Sequence, residues 1–336
     1  MMKNIIKGYP RYQIIQELAS GGMGSVAKAK ILGVEGFEKV VAIKTLLPRY
    51  ARDEEFVRRF IFEAKLVANL VHQNIVQIYQ LDRVDDEYFF VLEFVDGISL
   101  FDFVEFHKII KRRLPFSLAV FIASRAARAL AYAHSRCGSD GKPLNIIHCD
   151  ICPHNILISK EGVAKLTDFG IARAASSGNS SRVSGKLAFM SPEQCCDPEH
   201  LTKASDIYSL GVVLFYMLSN HYTRDIYAGR DSLIEQIRCN HVNYAALPDD
   251  LPDELRGILE KMLAANPADR YSDCSELARN LDYYIYRDGY GPSIVMLAEY
   301  MRELMPGRFG NTPAADGKTE VLPPDYFDQR QISTEL

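Results

Sequence analysis

The hydrophobic period of the chain changes near Glu93–Gly97, and that change restricts the fold more than any other single feature. Before it, "YQIIQELAS", "SVAKAKI", "KVVAIKTLL", "NIVQIYQLDR" and "EYFFVLEF" read as strands, punctuated by glycine-containing loops. One segment there, "RDEEFVRRFIFEAKLVANLV", has helical spacing instead. Phe56, Phe60, Ala64, Val67 and Leu70 recur on one face, behind the acidic start Asp53, Glu54 and Glu55. After the change, "LAVFIASRAARALAYAHS", "IYSLGVVLFYMLS", "DELRGILEKMLAAN" and "DCSELARNLDYYIYR" read as helices. A strand-rich small unit therefore precedes a helix-rich larger one, which makes the chain α+β. No internal repeat is visible.

With 336 residues, 48% hydrophobic and 24% charged, the chain is long enough for two packed units. The net charge of −4 gives no global pull toward nucleic acid or anionic lipid, so a nucleic-acid role is disfavoured. No signal-peptide pattern follows "MMKNIIKGYPRY". The longest apolar stretch read from the sequence, Ile207 to Leu218, is too short to span a bilayer and reads as a buried helix, so no membrane segment is expected. Seven scattered cysteines, an odd number, fit reduced thiols and a cytoplasmic location. "PSIVMLAEYMRELM" reads as one more helix, and the polar, proline-containing residues 311–336 as a disordered tail.

Two short stretches carry chemistry and are ambiguous alone. "HCDICPHN", residues 148–155, holds Cys149-x-x-Cys152 with His154 close by, which by spacing is either a redox or metal motif or an altered active-site loop. "LASGGMGSV", residues 18–26, is either a hairpin turn or a loop whose backbone N–H groups approach phosphate. It runs from strand to strand, which excludes a dinucleotide fold and a P-loop. Beyond it, Lys44 ends "VAIK", inside an otherwise apolar strand, where a lysine is costly unless paired. Glu63, on the apolar face of the following helix, is the candidate partner.

"HCDICPHN", "LTDFG" and "FMSPEQ" follow in that order. Taken with the glycine cluster, "VAIK" and Glu63, this ordered set resembles the signature of the bacterial, eukaryotic-like serine/threonine protein kinases. The resemblance runs from about Tyr9 to Tyr286. It implies a bilobal kinase fold: an antiparallel-sheet N-lobe over 9–95, a mostly helical C-lobe over 96–286, a helical extension over 287–310 and the tail beyond. It also implies ATP and Mg²⁺ as cofactors and proteins as substrates.

By the same resemblance, Lys44 holds the α- and β-phosphates and pairs with Glu63, and Asp150 accepts or orients the substrate hydroxyl. Asn155 and Asp168 bind Mg²⁺, as hard oxygen ligands should. Gly21 and Gly24 cover the nucleotide, although Ala19 stands where the first glycine of the pattern would be. Val26 and Ala42 lie above the adenine, Leu157 below, and Leu92 is the gatekeeper. The backbone of Glu93 and Val95 meets the adenine edge. Asp206 braces the catalytic loop, Glu193 and Arg270 form a buried ion pair, and Val67, Ile78, His148 and Phe169 stack between the lobes.

Three departures cluster at the reacting centre. Cys149 replaces the arginine before the catalytic aspartate, which argues against a switch through an arginine–phosphate pair. Ser176, Ser177, Ser180, Ser181 and Ser184 still offer hydroxyls, or form a plain serine-rich loop. Cys152 replaces the lysine that reaches the γ-phosphate, a loss that by itself points to a weak kinase or a pseudokinase scaffold. Lys186 stands where such kinases carry a threonine facing the catalytic aspartate. In this the chain is similar to a myxobacterial type of kinase with lysine in the P+1 loop. The expectation is an active kinase with Lys186 replacing the lost cation; the alternative is a nucleotide-binding pseudokinase. In the kinase loop the two thiols point to different sides, which disfavours the redox and zinc readings.

Overall fold

The structure, a computed structural model, describes residues 5–6, 11–20, 24–46, 57–58, 61, 64–65, 67–84, 87–138, 140–169 and 184–310. Gly21, Glu63, the serines at 176, 177, 180 and 181, and the tail over 311–336 lie outside the described residues.

Strands β1 (Ile5–Ile6), β2 (Arg11–Ser20), β3 (Gly24–Leu32), β4 (Glu38–Leu46), β5 (Ile78–Val84) and β6 (Glu87–Glu93) form one antiparallel sheet in the order β1-β2-β3-β4-β6-β5. Its alternation sorts side chains onto two faces. Val41 and Ile43 of β4 join Phe89 and Val91 of β6 in a small cluster with Tyr12 and Ala29. Ala42 and Leu46, with Phe90 and Leu92, face the main core instead. Lys44 lies between Ala42 and Leu46 in the same alternation, so the strand period carries it to the side of the larger unit.

The sequence suggested that β5 begins at Asn74, but it begins at Ile78. Residues 74–76 are drawn the other way. Leu166 N–H donates to the Asn74 carbonyl at 2.8 Å, and Val76 N–H donates to the Leu166 carbonyl at 2.8 Å. This ties the first unit to the strand that leads into Asp168.

That strand belongs to a second antiparallel sheet of β7 (Gly97–Ser99), β8 (Ile156–Ser159) and β9 (Ala164–Leu166). Around it pack α1 (Leu100–Ile109), α2 (Phe116–His134), α3 (Lys203–Ser219), α4 (Arg230–Arg238), α5 (Asp253–Met262), α6 (Cys274–Tyr286) and α7 (Ile294–Leu304). Ser99 caps α1 by accepting from Asp102 N–H, and Thr202 caps α3 by accepting from Ala204 N–H. α3 is apolar nearly all round and is buried from Ser205 to Ser219, as such a helix must be in water. It ends at Asn220, which takes the left-handed conformation (φ +59°) of a helix C-cap. The fold is thus an antiparallel-sheet N-lobe on a mostly helical C-lobe.

Among the described residues α2, not the stretch 207–218, is the helix long and apolar enough to cross a membrane by length and composition. In this fold 67% of its most apolar window is buried, between α6 and α3, so it serves as a core helix.

α7 is part of the main core through Leu297, Met301 and Leu304. Its Tyr300 hydroxyl lies 2.9 Å from Nε2 of the fully buried His107. Gly162, at φ +84°, lets the β8–β9 turn pass under its start, where an added Cβ would stand 1.9 Å from the Ile294 carbonyl oxygen. Beyond α7, Arg308 donates to the Gly97 carbonyl at 3.0 Å.

Candidate active site

The catalytic-loop candidates lie between α2 and β8, in a segment with little regular structure, so side chains must hold its shape. Asp206, at the start of α3, does most of this. Its Oδ2 accepts from His148 N–H at 2.8 Å and its Oδ1 from Cys149 N–H at 2.9 Å. His134 Nε2 lies 2.8 Å from the same Oδ2. Burial works against this carboxylate's charge, but the bonds from His134 and the loop outweigh it and hold its pKa below the ordinary value. The bracing matters because Cys149 takes φ +62°, a left-handed conformation costing a non-glycine residue about 1–2 kcal/mol. Gln194 adds a second anchor, its Nε2 donating to the Cys149 carbonyl at 2.8 Å.

Asp150 sits at the mouth of this loop. Asn155 Nδ2 donates to the Asp150 carbonyl at 2.7 Å and to Asp150 Oδ2 at 2.8 Å. Lys186 Nζ reaches the same Oδ2 at 3.0 Å. Burial opposes the lysine's charge, but the facing Asp150 carboxylate overcomes it and raises the Lys186 pKa above the ordinary value. Cys152 is nearly fully buried, and its thiol is pushed up to about 12 by burial and then by the Asp150 charge, with Lys186 acting in the opposite direction. Position 152 therefore carries a neutral thiol, and Lys186 is the cation beside Asp150. His154 stacks on Phe101, with ring centroids 4.0 Å apart, on the outer side of the loop. Cys149 Sγ lies against the Ile147 carbonyl, and neither cysteine is in a disulfide.

Across the cleft, Lys44 Nζ donates to Asp168 Oδ1 at 2.5 Å. Burial works against the Asp168 charge, but Lys44 prevails and holds its pKa below the usual carboxylate range. Asp168 too is left-handed, at φ +63°. The next residue, Phe169, turns inward onto His148, with ring centroids 4.4 Å apart. Val67, Ile78, Leu92 and Phe169 line a cavity of about 10 Å³, room for about one water. The four stacked residues read from the sequence are thus brought together.

The adenine-site candidates gather as well. Ala42 and Leu92 are buried in the main core, with Val26, Val95 and Leu157 packed against it. The N–H of Glu93 is already committed to the Gln77 carbonyl at 2.8 Å, which leaves the carbonyl as its edge for a ligand. The Glu93 carboxylate holds Lys165 Nζ at 2.9 Å. Gly24 has a structural reason to be glycine: an added Cβ would stand 2.0 Å from the Thr45 carbonyl oxygen of the paired strand. Glu193 and Arg270 form a two-pronged ion pair, at 2.6 and 3.0 Å. Sequence reasoning missed Gln194, His134, Lys165 and Tyr300, whose partners here lie far along the chain; of the four, Gln194 also carries a local signal, the capping box Ser191-x-x-Gln194.

With this geometry in place, comparison with known proteins identifies the family. Residues 12–281 match the protein kinase domain, and the chain belongs to that family. It is 32% identical over 311 residues to the tyrosine-protein kinase MasK of Myxococcus xanthus, covering 91% of this chain and 47% of that protein. It is 34% identical over 274 residues to the serine/threonine-protein kinase PrkC of Bacillus subtilis, covering 81% and 40%. The chain thus spans less than half the length of these relatives. The PknI kinase domain of Mycobacterium tuberculosis aligns with a TM-score of 0.64 at 25% identity, covering 84% of this chain and 99% of that one.

Proposed function

We propose that the chain is an active protein kinase that transfers the γ-phosphate of ATP to serine or threonine hydroxyls of protein substrates, with Lys186 supplying the cation missing at Cys152. The observation that carries this reading is the contact of Lys186 Nζ with Asp150 Oδ2 at 3.0 Å, beside a neutral thiol at 152. A lysine so placed has the charge to neutralise a phosphoryl oxygen next to the hydroxyl that Asp150 orients.

The donor set fits magnesium. Asn155 spends its Nδ2 on Asp150, which leaves the amide oxygen as its ligand end, and Asp168 adds a carboxylate. Bound Mg²⁺ would offset the charge of the phosphate oxygens. Lys44 is held by Asp168 at the place where the α- and β-phosphates are expected, and Gly24 lies at the roof. Gly21 and Glu63 remain assigned by sequence alone. Within the family the chain is read as non-RD, with Lys186 in the P+1 loop, and its units as 9–95, 96–286 and 287–310.

Phosphosite mapping after incubation with Mg-ATP tests the reading. Phosphoserine or phosphothreonine, lost in Asp150→Asn, supports it. Exclusive phosphotyrosine would move the acceptor to the type named for the Myxococcus relative. Nucleotide binding without transfer would leave a pseudokinase.

A further inference from the structure

Arg224 is 3% exposed, yet the partners of its guanidinium are all uncharged. Nη1 donates to the Ala188 carbonyl at 2.9 Å and weakly to the Met190 carbonyl at 3.4 Å, and Nη2 donates to the Tyr208 hydroxyl at 2.5 Å. Nε has no partner. No carboxylate is among these contacts, and burial lowers the Arg224 pKa because nothing beside it offsets the charge fully. A buried cation without a counter-anion is costly, and an arriving anion relieves the cost.

Arg224 also lines a cavity of about 300 Å³, at the small end of the range for ligand sites. Its wall includes His221, Tyr222, Tyr227 and His241, which offer ring N–H and hydroxyl donors around a partly apolar surface. Asp225 is the carboxylate on the wall, and its Oδ1 is occupied by Tyr227 N–H at 2.9 Å. The terminal nitrogens of the Arg224 guanidinium hold residues 188–190, the segment that follows Lys186, and Tyr208. The cavity is thus joined through one side chain to the strand of chain that faces the acceptor.

We infer that this cavity is a docking site for an oxyanion-bearing side chain of the protein substrate, a glutamate, aspartate or phosphoserine some residues away from the acceptor. The inference rests on the proposed kinase activity, and it names the substrate class: proteins with an acidic or already phosphorylated residue near the target. Arg224 provides the positive potential, and the histidine and tyrosine rim provides directional donors.

The test uses the full chain and peptides with one common acceptor and a glutamate, phosphoserine or glutamine at successive offsets from it. Binding is read by fluorescence anisotropy and transfer by initial rates. The expected result is an offset at which the acidic peptides bind about tenfold more tightly than the glutamine peptide, with the difference in KM and not in kcat. That preference should vanish in His221→Ala/His241→Ala, a rim variant that leaves Arg224 and the 188–190 contacts in place, and in Arg224→Gln. Comparing glutamate with phosphoserine identifies the source of the oxyanion. Equal binding of all peptides, or a preference that survives in both variants, overturns the proposal. Because binding is also read in Asp150→Asn, docking without transfer would sink the kinase reading while keeping the site. Transfer without preference would do the reverse.

Discussion

Lys186 Nζ donates to Oδ2 of Asp150 at 3.0 Å, across 36 residues of sequence. The same oxygen accepts from Asn155, so the carboxylate is fixed from two sides while it faces the cleft. Removing its charge alone should separate positioning from chemistry. Asp150→Asn is expected to leave the fold intact and to lower kcat by about 10²–10⁴, the range of a positioned acid–base group. Initial-rate kinetics with a thermal-melt control check this.

Asp206 braces the left-handed turn at Cys149 by accepting from the His148 and Cys149 N–H groups. In Asp206→Asn, one amide end must face an N–H donor, so one bond becomes a repulsion. The expected cost is about 1–3 kcal/mol for the unsatisfied buried group, with kcat falling as the loop relaxes. Denaturant unfolding and kcat measured together check it. A loss of stability with unchanged kcat would make Asp206 purely structural.

The Glu193–Arg270 pair gives a pH signature. Burial raises the Glu193 pKa, but the bond and charge of Arg270 outweigh it, and the folded pKa lies below the ordinary 4.5. Its stabilising contribution is therefore complete above about pH 4.5 and is lost as pH falls through the lowered folded value. Arg270→Met removes that dependence and costs about 3–5 kcal/mol at neutral pH, because the Glu193 charge stays behind partly buried. Unfolding midpoints from pH 7 downward should show a flatter acid limb in the variant.

The legibility of the fold differs between these residues for a physical reason. Lys44 stands out in the sequence because period-2 alternation exposes a charge in an apolar strand, and the helices of the C-lobe stand out through their 3.6-residue period. The start of β5 was misread because residues 74–76 are apolar enough for a strand but bond to Leu166, a partner far along the chain. Gln194, His134 and Tyr300 meet Cys149, Asp206 and His107 across long stretches of sequence, and a single polar residue has no period. Gly24 was read as a phosphate-loop glycine, yet the nearness of the Thr45 carbonyl alone would require it.

That nearness predicts a defined defect. Gly24→Ala should lower the melting temperature, since overpacking against backbone costs about 1–3 kcal/mol, and should weaken nucleotide binding with it. Calorimetry and nucleotide titration check the pair. An unchanged melting temperature would mean that β3 and β4 separate at little cost.

The C-terminal helix α7 should contribute to stability through its contact with His107. Tyr300→Phe keeps the ring and leaves Nε2 of a fully buried imidazole without its partner, at an expected cost of about 1–3 kcal/mol. Chemical denaturation measures it, and kcat should be unaffected.

Lys186 is proposed to perform the cationic role left open at Cys152. The direct test is the single-turnover rate of Lys186→Met beside its affinity for Mg-ATP. The expected result is a fall in rate of about 10²–10³, the loss of one electrostatic group at the transferring phosphoryl, with nucleotide affinity nearly unchanged. Near-wild-type transfer in Lys186→Met with nucleotide still bound would contradict it.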